Sequence, residues 1–519
     1  MNNAPKLVDV DQRNFDVAII GSGINGAVSA AALAATGLSV ILVDERDFAG
    51  FTSQESSNMV WGGIKYLQTL EFALVRSLCK SRARLFKNFP DQIREIGFFA
   101  SLDKNAPAKP LFIYVGALIY WAIGGFSTQP PKYFSSQQAK KFEPNLASSS
   151  SPAVQYFDGI LVDNDARFVW NFVKTAKSNG AIALNYTRAS NIRRDSSGWV
   201  IDLHNALSTA AAHSGASIKA KVLINAGGPF VDQINQSAGN KTKSHIALSK
   251  GIHLIVPRIT SDDRVLAFWD QEGRLFYVLP MGDRSVIGTT DTRVENPHTE
   301  VSNHDRDFVL AQINRLLDLP KPLTRNDIIA ERSGVRPLVI RPNKTAAQAK
   351  EIDWHKLSRE HVIETSIPNS AISILGGKLT DCLNVGEEIV DAVRELINVP
   401  DLPRSWFGSS AGRMPSELKN QAKKQFGPRA GEIAQAVWRR HGKSSSRIAA
   451  IWAEHPALAA EVFSGSAITL AELEHIVENE MVVSRNDVLR RRLPLALIRS
   501  ESEIAENTEL QALFAKHNL

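Results

Sequence analysis

Apolar positions along this chain fall into two textures. Up to about residue 400 they come as short runs broken by Gly, Asn and charged turns, the pattern of buried strands alternating with helices. Asp16-Val-Ala-Ile-Ile20 predicts a first buried strand, Ala27 to Thr36 an alanine-rich helix ended by Gly37, and Ser39 to Val43 a second strand closing on Asp44. Lys219 to Asn225 predicts another strand, and Ser373 to Gly377 a late one followed by a helix over Val385 to Leu396. Between about 250 and 295 the runs IHLIVP, RLFYVLP and RSVIGTTD predict an antiparallel sheet inserted between the parallel pieces. The polar, serine-rich stretch 134–153 reads as a connector. After Pro403 the strand pattern ends, and residues 405–519 read as a separate all-helical domain.

The first strand–helix–strand unit carries chemistry. Gly21-Ser-Gly-Ile-Asn-Gly26 joins strand to helix within about thirty residues, with Asp44 ending the second strand. Gly21 suits the tight turn, Gly23 lets backbone approach a pyrophosphate, and Gly26 lets helix and strand pack closely. The helix N-terminus offers unpaired N–H groups to phosphates. Asp44 is placed to hold an adenosine ribose and disfavours a 2′-phosphate, which favours FAD or NAD over NADP.

One segment, Leu111 to Phe126, is uncharged and rich in aromatics. It is shorter than the roughly 18 residues of a spanning helix. Two readings stand: a buried helix and strand, or an interfacial membrane segment. The 519 residues predict two or three domains. Cys79 and Cys382 are the two cysteines, which excludes a disulfide scaffold and a cysteine-only metal site, and no metal is expected. The N-terminus lacks an apolar signal core, so a cytoplasmic location is expected. A net charge of +6 is too small to argue for nucleic acid; it suits anionic small molecules or an anionic membrane surface. In the helical region charge is segregated: nine Lys or Arg and two acids from Arg413 to Arg447, then six acids and no base from Glu454 to Glu480.

Taken in order, the motifs resemble those of the quinone-linked, FAD-dependent glycerol-3-phosphate dehydrogenase family. They are Gly21-Ser-Gly-Ile-Asn-Gly26, Thr52-Ser53 with Ser56-Ser57, and Gly62-Gly63-Ile-Lys65-Tyr66-Leu. There follow Asn225-Ala-Gly227-Gly-Pro229, Lys250-Gly-Ile-His253, Gly288-Thr-Thr-Asp291, Ser333-Gly-Val-Arg336-Pro-Leu, Gly376-Gly377-Lys378-Leu-Thr380 and Val488-Leu-x-Arg-Arg492. The resemblance implies an α/β fold: a Rossmann-like FAD-binding domain, an inserted antiparallel β-sheet substrate domain and a C-terminal all-helical domain. The oxidoreductase core would span 15–400, with FAD-binding parts at about 15–90, 155–230 and 355–400 and a substrate cap at about 95–150 and 240–345. It implies oxidation of sn-glycerol 3-phosphate to dihydroxyacetone phosphate, with electrons passing to FAD and then to a membrane quinone. Expected partners are a phosphorylated polyol, the quinone, a peripheral membrane contact at the inner face and a second copy in a homodimer.

Taking a hydride from a secondary alcohol needs a hydride sink, a base for the hydroxyl proton and anchors for the phosphate. The resemblance assigns His253 and Arg336 to the reacting centre. His253 is the candidate base, having an ordinary pKa near 6.5; Arg336 offers a planar fork to phosphate or oxygen. Lys65, Tyr66, Arg359 and Lys378 carry over as substrate contacts. The cofactor positions are Gly21, Gly23, Asn25, Gly26, Asp44, Thr52, Ser53, Ser57, Gly62, Gly63, Gly227, Gly377 and Thr380. By residue type alone, a histidine such as His253 is more often a structural residue at a strand start, and Arg336 is one of many surface or ion-paired arginines.

Departures from the family pattern cluster near the expected site. Trp61 stands for a histidine, Lys65 for an arginine, Asn58 for a lysine and Gly227 for a threonine; Asp381-Cys382-Leu383 stands for threonine, tyrosine and arginine, and Ala32 and Thr36 for an aspartate and an arginine. These leave open an FAD oxidase or dehydrogenase of another hydroxy acid, polyol phosphate or amine, and a non-catalytic flavoprotein.

Overall fold

Strand β1 (Asn14–Ile20) ends in four consecutive buried residues, Val17 to Ile20, because it is covered on both faces. It lies between two parallel partners, β2 (Val40–Val43) and the strand Gly215–Asn225. A computed structural model describes residues 6–147, 151–208, 215–260, 262–271, 273–342, 360–408 and 412–519. In the first sheet, of eight strands, the order from one edge is Val362–Ser366, Ala371–Leu375, Gly215–Asn225, β1, β2 and Ile182–Leu184, with Thr187–Asp195 and Gly198–Asn205 extending it through the long Gly215–Asn225 strand. Helix α1 (Ile24–Ala35) packs on one face beside helices Asp165–Ser178 and Cys382–Arg394. Its run of alanines, fully buried, lets the helices approach closely. The parallel arrangement places the turn after β1 and the end of β2 at one edge of the sheet, where ligands bind in such folds.

The second sheet has ten strands and is largely antiparallel. Its spine is His245–Pro257, paired on one side with Arg284–Gly288 and on the other with Ala330–Ile340. Helix Asn303–Leu316 covers one face through Val309, Leu310 and Ile313. The strand Ala153–Leu161 belongs to this second sheet, although its sequence position groups it with the FAD-binding parts; it pairs along its whole length with Ile93–Ser101. The stretch read as a connector holds a short helix, Ser136–Phe142, started by a Ser135/Gln138 capping box.

The segment Leu111 to Phe126 is not a buried helix and strand but a helix with one bare apolar face. It forms one helix, Pro110–Ile123, with only Ala117 and Tyr120 buried. Leu111 and Phe112 are 67% and 68% exposed, and Val115, Ile119 and Phe126 are exposed too. Among the described residues, no helix is long and apolar enough to cross a membrane.

From Ser416 on, the described elements are helical, around two apolar clusters centred on Val437 and Trp452 and on Leu473 and Leu493. This region is docked by buried ion pairs. Arg167 of the first domain meets Glu480 through both carboxylate oxygens, at 2.5 and 2.9 Å. Arg439 reaches Asp163 at 2.7 Å, and Arg440 lies between Asp163 and Glu472. Part of the basic segment Arg413–Arg447 is thus spent inside the protein.

Candidate active site

The turn after β1 is shaped for glycine. Gly21 has φ +99°, and a Cβ there would stand 2.5 Å from the Ala226 carbonyl oxygen. At Gly26 a Cβ would fall 1.8 Å from the Gly21 oxygen, so close contact of helix with strand depends on it. Gly23 is the N-cap of α1 and supplies no side-chain cap. A Cβ there would meet only the Ser53 hydroxyl, at 3.1 Å; that hydroxyl accepts the Ile24 N–H at 3.0 Å. Asp44 is held by Ser22, whose N–H and hydroxyl donate to it at 2.6 and 2.8 Å, and by the Arg46 N–H at 2.9 Å. Burial pushes its carboxyl above the ordinary range, against the pull of those bonds.

The other positions expected to meet the cofactor are tied together across long stretches of chain. Asn25 donates to the Gly376 carbonyl at 2.9 Å, while its buried Oδ1 has no protein partner. A Cβ on Gly377 would stand 3.1 Å from the same amide. Thr52 donates to the Val335 carbonyl at 2.7 Å, tying the loop after β2 to the strand Ala330–Ile340. Ser57 lies in that loop, half-buried. Thr380 accepts the Trp61 N–H at 3.0 Å, and the Gly62 N–H donates to Asp158 at 3.0 Å. Gly63 has φ +82°, and Gly227 donates to Asn225 at 3.1 Å. An orphaned amide oxygen, an open helix N-terminus and a ribose-ready carboxylate fit a dinucleotide such as FAD.

Two groups of substrate candidates stand out. On the second sheet His253 lies mid-strand, 3% exposed, and is paired in register with Arg332. Its Nδ1 has no hydrogen-bond partner. Burial, with the cations of Arg332 and Arg336 nearby, holds the imidazole well below its ordinary pKa, so it is neutral at pH 7. Arg336 donates to the Thr289 hydroxyl at 3.0 Å and lies 3.4 Å from Asp291. Its guanidinium rests on Gly251, where a Cβ would clash at 2.2 Å. In the other group, Lys378 Nζ stands 4.3 Å from the centre of the Tyr66 ring, Lys65 Nζ 5.4 Å from it, and the Trp61 ring 6.0 Å away. Arg359 lies outside the described residues.

Sequence reasoning passed over Arg332 and Asp291. Asp291 had a signal, as the last residue of the Gly288–Asp291 motif. Arg332 had none: it is fully buried, donates to the Ser56 carbonyl, lies 3.4 Å from Asn58 Oδ1 and 3.8 Å from Asp165, and leaves Nε and Nη2 unpartnered. A cation from the second sheet thus reaches Asn58, the position where the family pattern has a lysine. His441, His475 and Glu480 bring possible metal ligands within 4.8 Å of one another. Glu480 is already paired with Arg167 and His441 with Glu472 at 2.7 Å, so the cluster reads as an ion-pair network.

The profile of the FAD dependent oxidoreductase family matches residues 16–357. Glycerol-3-phosphate dehydrogenase 2 of Mycobacterium tuberculosis is 28% identical over 498 residues, covering 93% of this chain and 81% of that protein. The aerobic glycerol-3-phosphate dehydrogenase of Bacillus subtilis is 28% identical, covering 81% of this chain and 70% of that protein. Among solved structures, the Bacillus halodurans glycerol-3-phosphate dehydrogenase complexed with FAD superimposes with a TM-score of 0.75 at 24% identity, covering 99% of this chain and 92% of that one. The L-alpha-glycerophosphate oxidase of Mycoplasma pneumoniae superimposes with a TM-score of 0.56 at 16% identity, covering 77% and 98%. With a glycine turn, a buried carboxylate at the end of β2 and a two-sheet core that suit its cofactor, the chain belongs to the family of FAD-dependent oxidoreductases.

Proposed function

We propose that this protein oxidises sn-glycerol 3-phosphate to dihydroxyacetone phosphate and delivers the electrons to a membrane quinone. The observation that carries this reading is the buried imidazole of His253, its Nδ1 without a partner, with the guanidinium of Arg336 nearby, in a chain similar over most of its length to glycerol-3-phosphate dehydrogenases. FAD, held by the β1–α1 turn, Asp44, Asn25, Ser53 and Thr380, supplies the two-electron acceptor.

The protein's own groups divide the remaining work. His253 Nδ1, lacking a partner, accepts the C2 hydroxyl proton as hydride leaves C2. Arg336 binds the developing carbonyl oxygen or a phosphate oxygen, and Asp291 and Thr289 fix its plane. Lys378 and Lys65, both beside the Tyr66 ring, bind the phosphate as point charges, with Arg359 as the further anchor that the family pattern assigns. Trp61 and Tyr66 wall the site with aromatic surface and exclude water.

Membrane attachment is peripheral, through the helix Pro110–Ile123. Leu111, Phe112, Val115 and Ile119 form an exposed apolar face, and Phe126 follows it. Tyr120 is not part of that face: it is buried and donates to Asp158 at 2.7 Å. Exposed Lys419, Lys423 and Lys424 add attraction to anionic lipid. The deciding experiment is an anaerobic titration of the flavoprotein. Bleaching by glycerol 3-phosphate and reoxidation by a quinone faster than by air support the proposal. Rapid reoxidation by air assigns an oxidase, and no bleaching by any polyol phosphate refutes catalysis on this class.

A further inference from the structure

The loop from Asp44 to Asn58 carries four of the positions assigned to FAD: Asp44, Thr52, Ser53 and Ser57. Its only regular element is a single turn, Thr52–Gln54, with no side-chain cap. Besides its bonds to Ser22, Ile24, Val335 and Arg332, it is gripped from the far end of the chain. The π-helical turn Asp487–Arg492 is buried throughout and points three consecutive arginines at the loop. Arg492 binds Asp47 through two nitrogens, at 2.7 and 3.0 Å. Arg491 Nε reaches the same carboxylate at 2.7 Å, and its Nη1 reaches Gln54 Oε1 at 3.3 Å. Arg490 donates to the Gln54 carbonyl and lies 3.4 Å from Glu55. The grips therefore fall on both sides of Thr52–Ser53.

The turn is itself braced. Asp487 accepts from Tyr186 at 2.7 Å and pairs with Arg491, and Asn164 donates to the Arg490 carbonyl at 3.0 Å. Asp47 is fully buried, so withdrawing the arginines would leave its charge without a cation and with the Asn185 amide as a neutral donor, which is costly in a dry interior. Loop and turn are thus stable together in this arrangement.

We propose that Arg490, Arg491 and Arg492 are positioning residues for the cofactor loop, and that FAD binding is coupled to the seating of the C-terminal helices. The coupling is reciprocal: whatever factor the seated turn adds to FAD affinity, FAD adds to the seating. The proposal involves no substrate, so its fate is separate from that of the dehydrogenase reading.

Hydrogen exchange on the full-length protein, with FAD bound and after FAD removal, tests it. The amides of residues 484–499, none of them assigned to FAD, should exchange at least tenfold more slowly with FAD bound. In Arg490→Met the FAD dissociation constant should rise at least tenfold, Arg490→Lys should recover part of the loss, and Arg447→Met, an exposed control, should bind FAD as the parent does. Unchanged exchange at 484–499 overturns the proposal, as does a folded Arg490→Met that binds FAD within twofold of the parent. If Arg490→Met does not fold, the exchange measurement on the unmodified protein decides alone.

Discussion

Replacing Arg336 with alanine should lower kcat/KM for sn-glycerol 3-phosphate about a hundredfold while flavin stays bound. The Arg336 side chain is three-quarters buried, with Nη2 fixed to Thr289 at 3.0 Å and Nη1 at 3.4 Å from Asp291, so it meets an anion already oriented. A hydrogen bond to a charged group is worth about 1.5–3 kcal/mol, which is roughly ten- to 150-fold in rate. Partial burial moves the loss toward the upper end. Asp291 keeps its bond from the Ser249 hydroxyl, so the fold should tolerate the change. The assay is steady-state reduction of a quinone analogue, alongside the flavin-to-protein ratio from the visible spectrum. Arg336→Lys should recover only part of the activity, since it restores charge without the fork. An Arg336→Ala enzyme with full flavin and kcat/KM within threefold of the parent would show that this arginine only braces Asp291.

Gly23→Val should fold and purify colourless, because a branched side chain at the N-cap pushes on Ser53 and fills the mouth of the helix; a yellow variant with full flavin would remove the cofactor site from this turn. His361, 2.9 Å from both Asp381 and Glu388, is raised to about 9 by hydrogen bonds and charge from the two carboxylates, which outweigh burial. Its folded value lies above the unfolded one, so its stabilisation, at most about 3 kcal/mol, is full below about pH 6.5 and is lost as pH rises through about 9. Thermal unfolding measured across that window should fall in the parent and stay flatter in His361→Gln; parallel curves would refute the assignment. The protein should co-sediment with anionic liposomes at low salt and be partly released at high salt, and Phe112→Ser should weaken what salt leaves behind. No co-sedimentation at low salt would refute the membrane face.

What the sequence by itself determined was local. The turn Gly21–Gly26 and the β1–α1–β2 unit were legible because φ preferences, helix start and strand end all lie within thirty residues. The antiparallel strands around 250–295 were legible from runs between charged turns, and the helical C-terminus from its loss of strand pattern. Tertiary structure decided what faces what. An apolar, uncharged segment reads the same whether covered or bare, and only the neighbours of Tyr120 and Ala117 show that Pro110–Ile123 is covered on one face and bare on the other. Arg332 with Ser56, and Arg490 with Gln54, join positions 276 and 436 residues apart. No spacing rule reaches so far, because a buried arginine is stabilised by whichever carbonyl or carboxylate the fold brings to it, and that partner leaves no mark in the sequence around it.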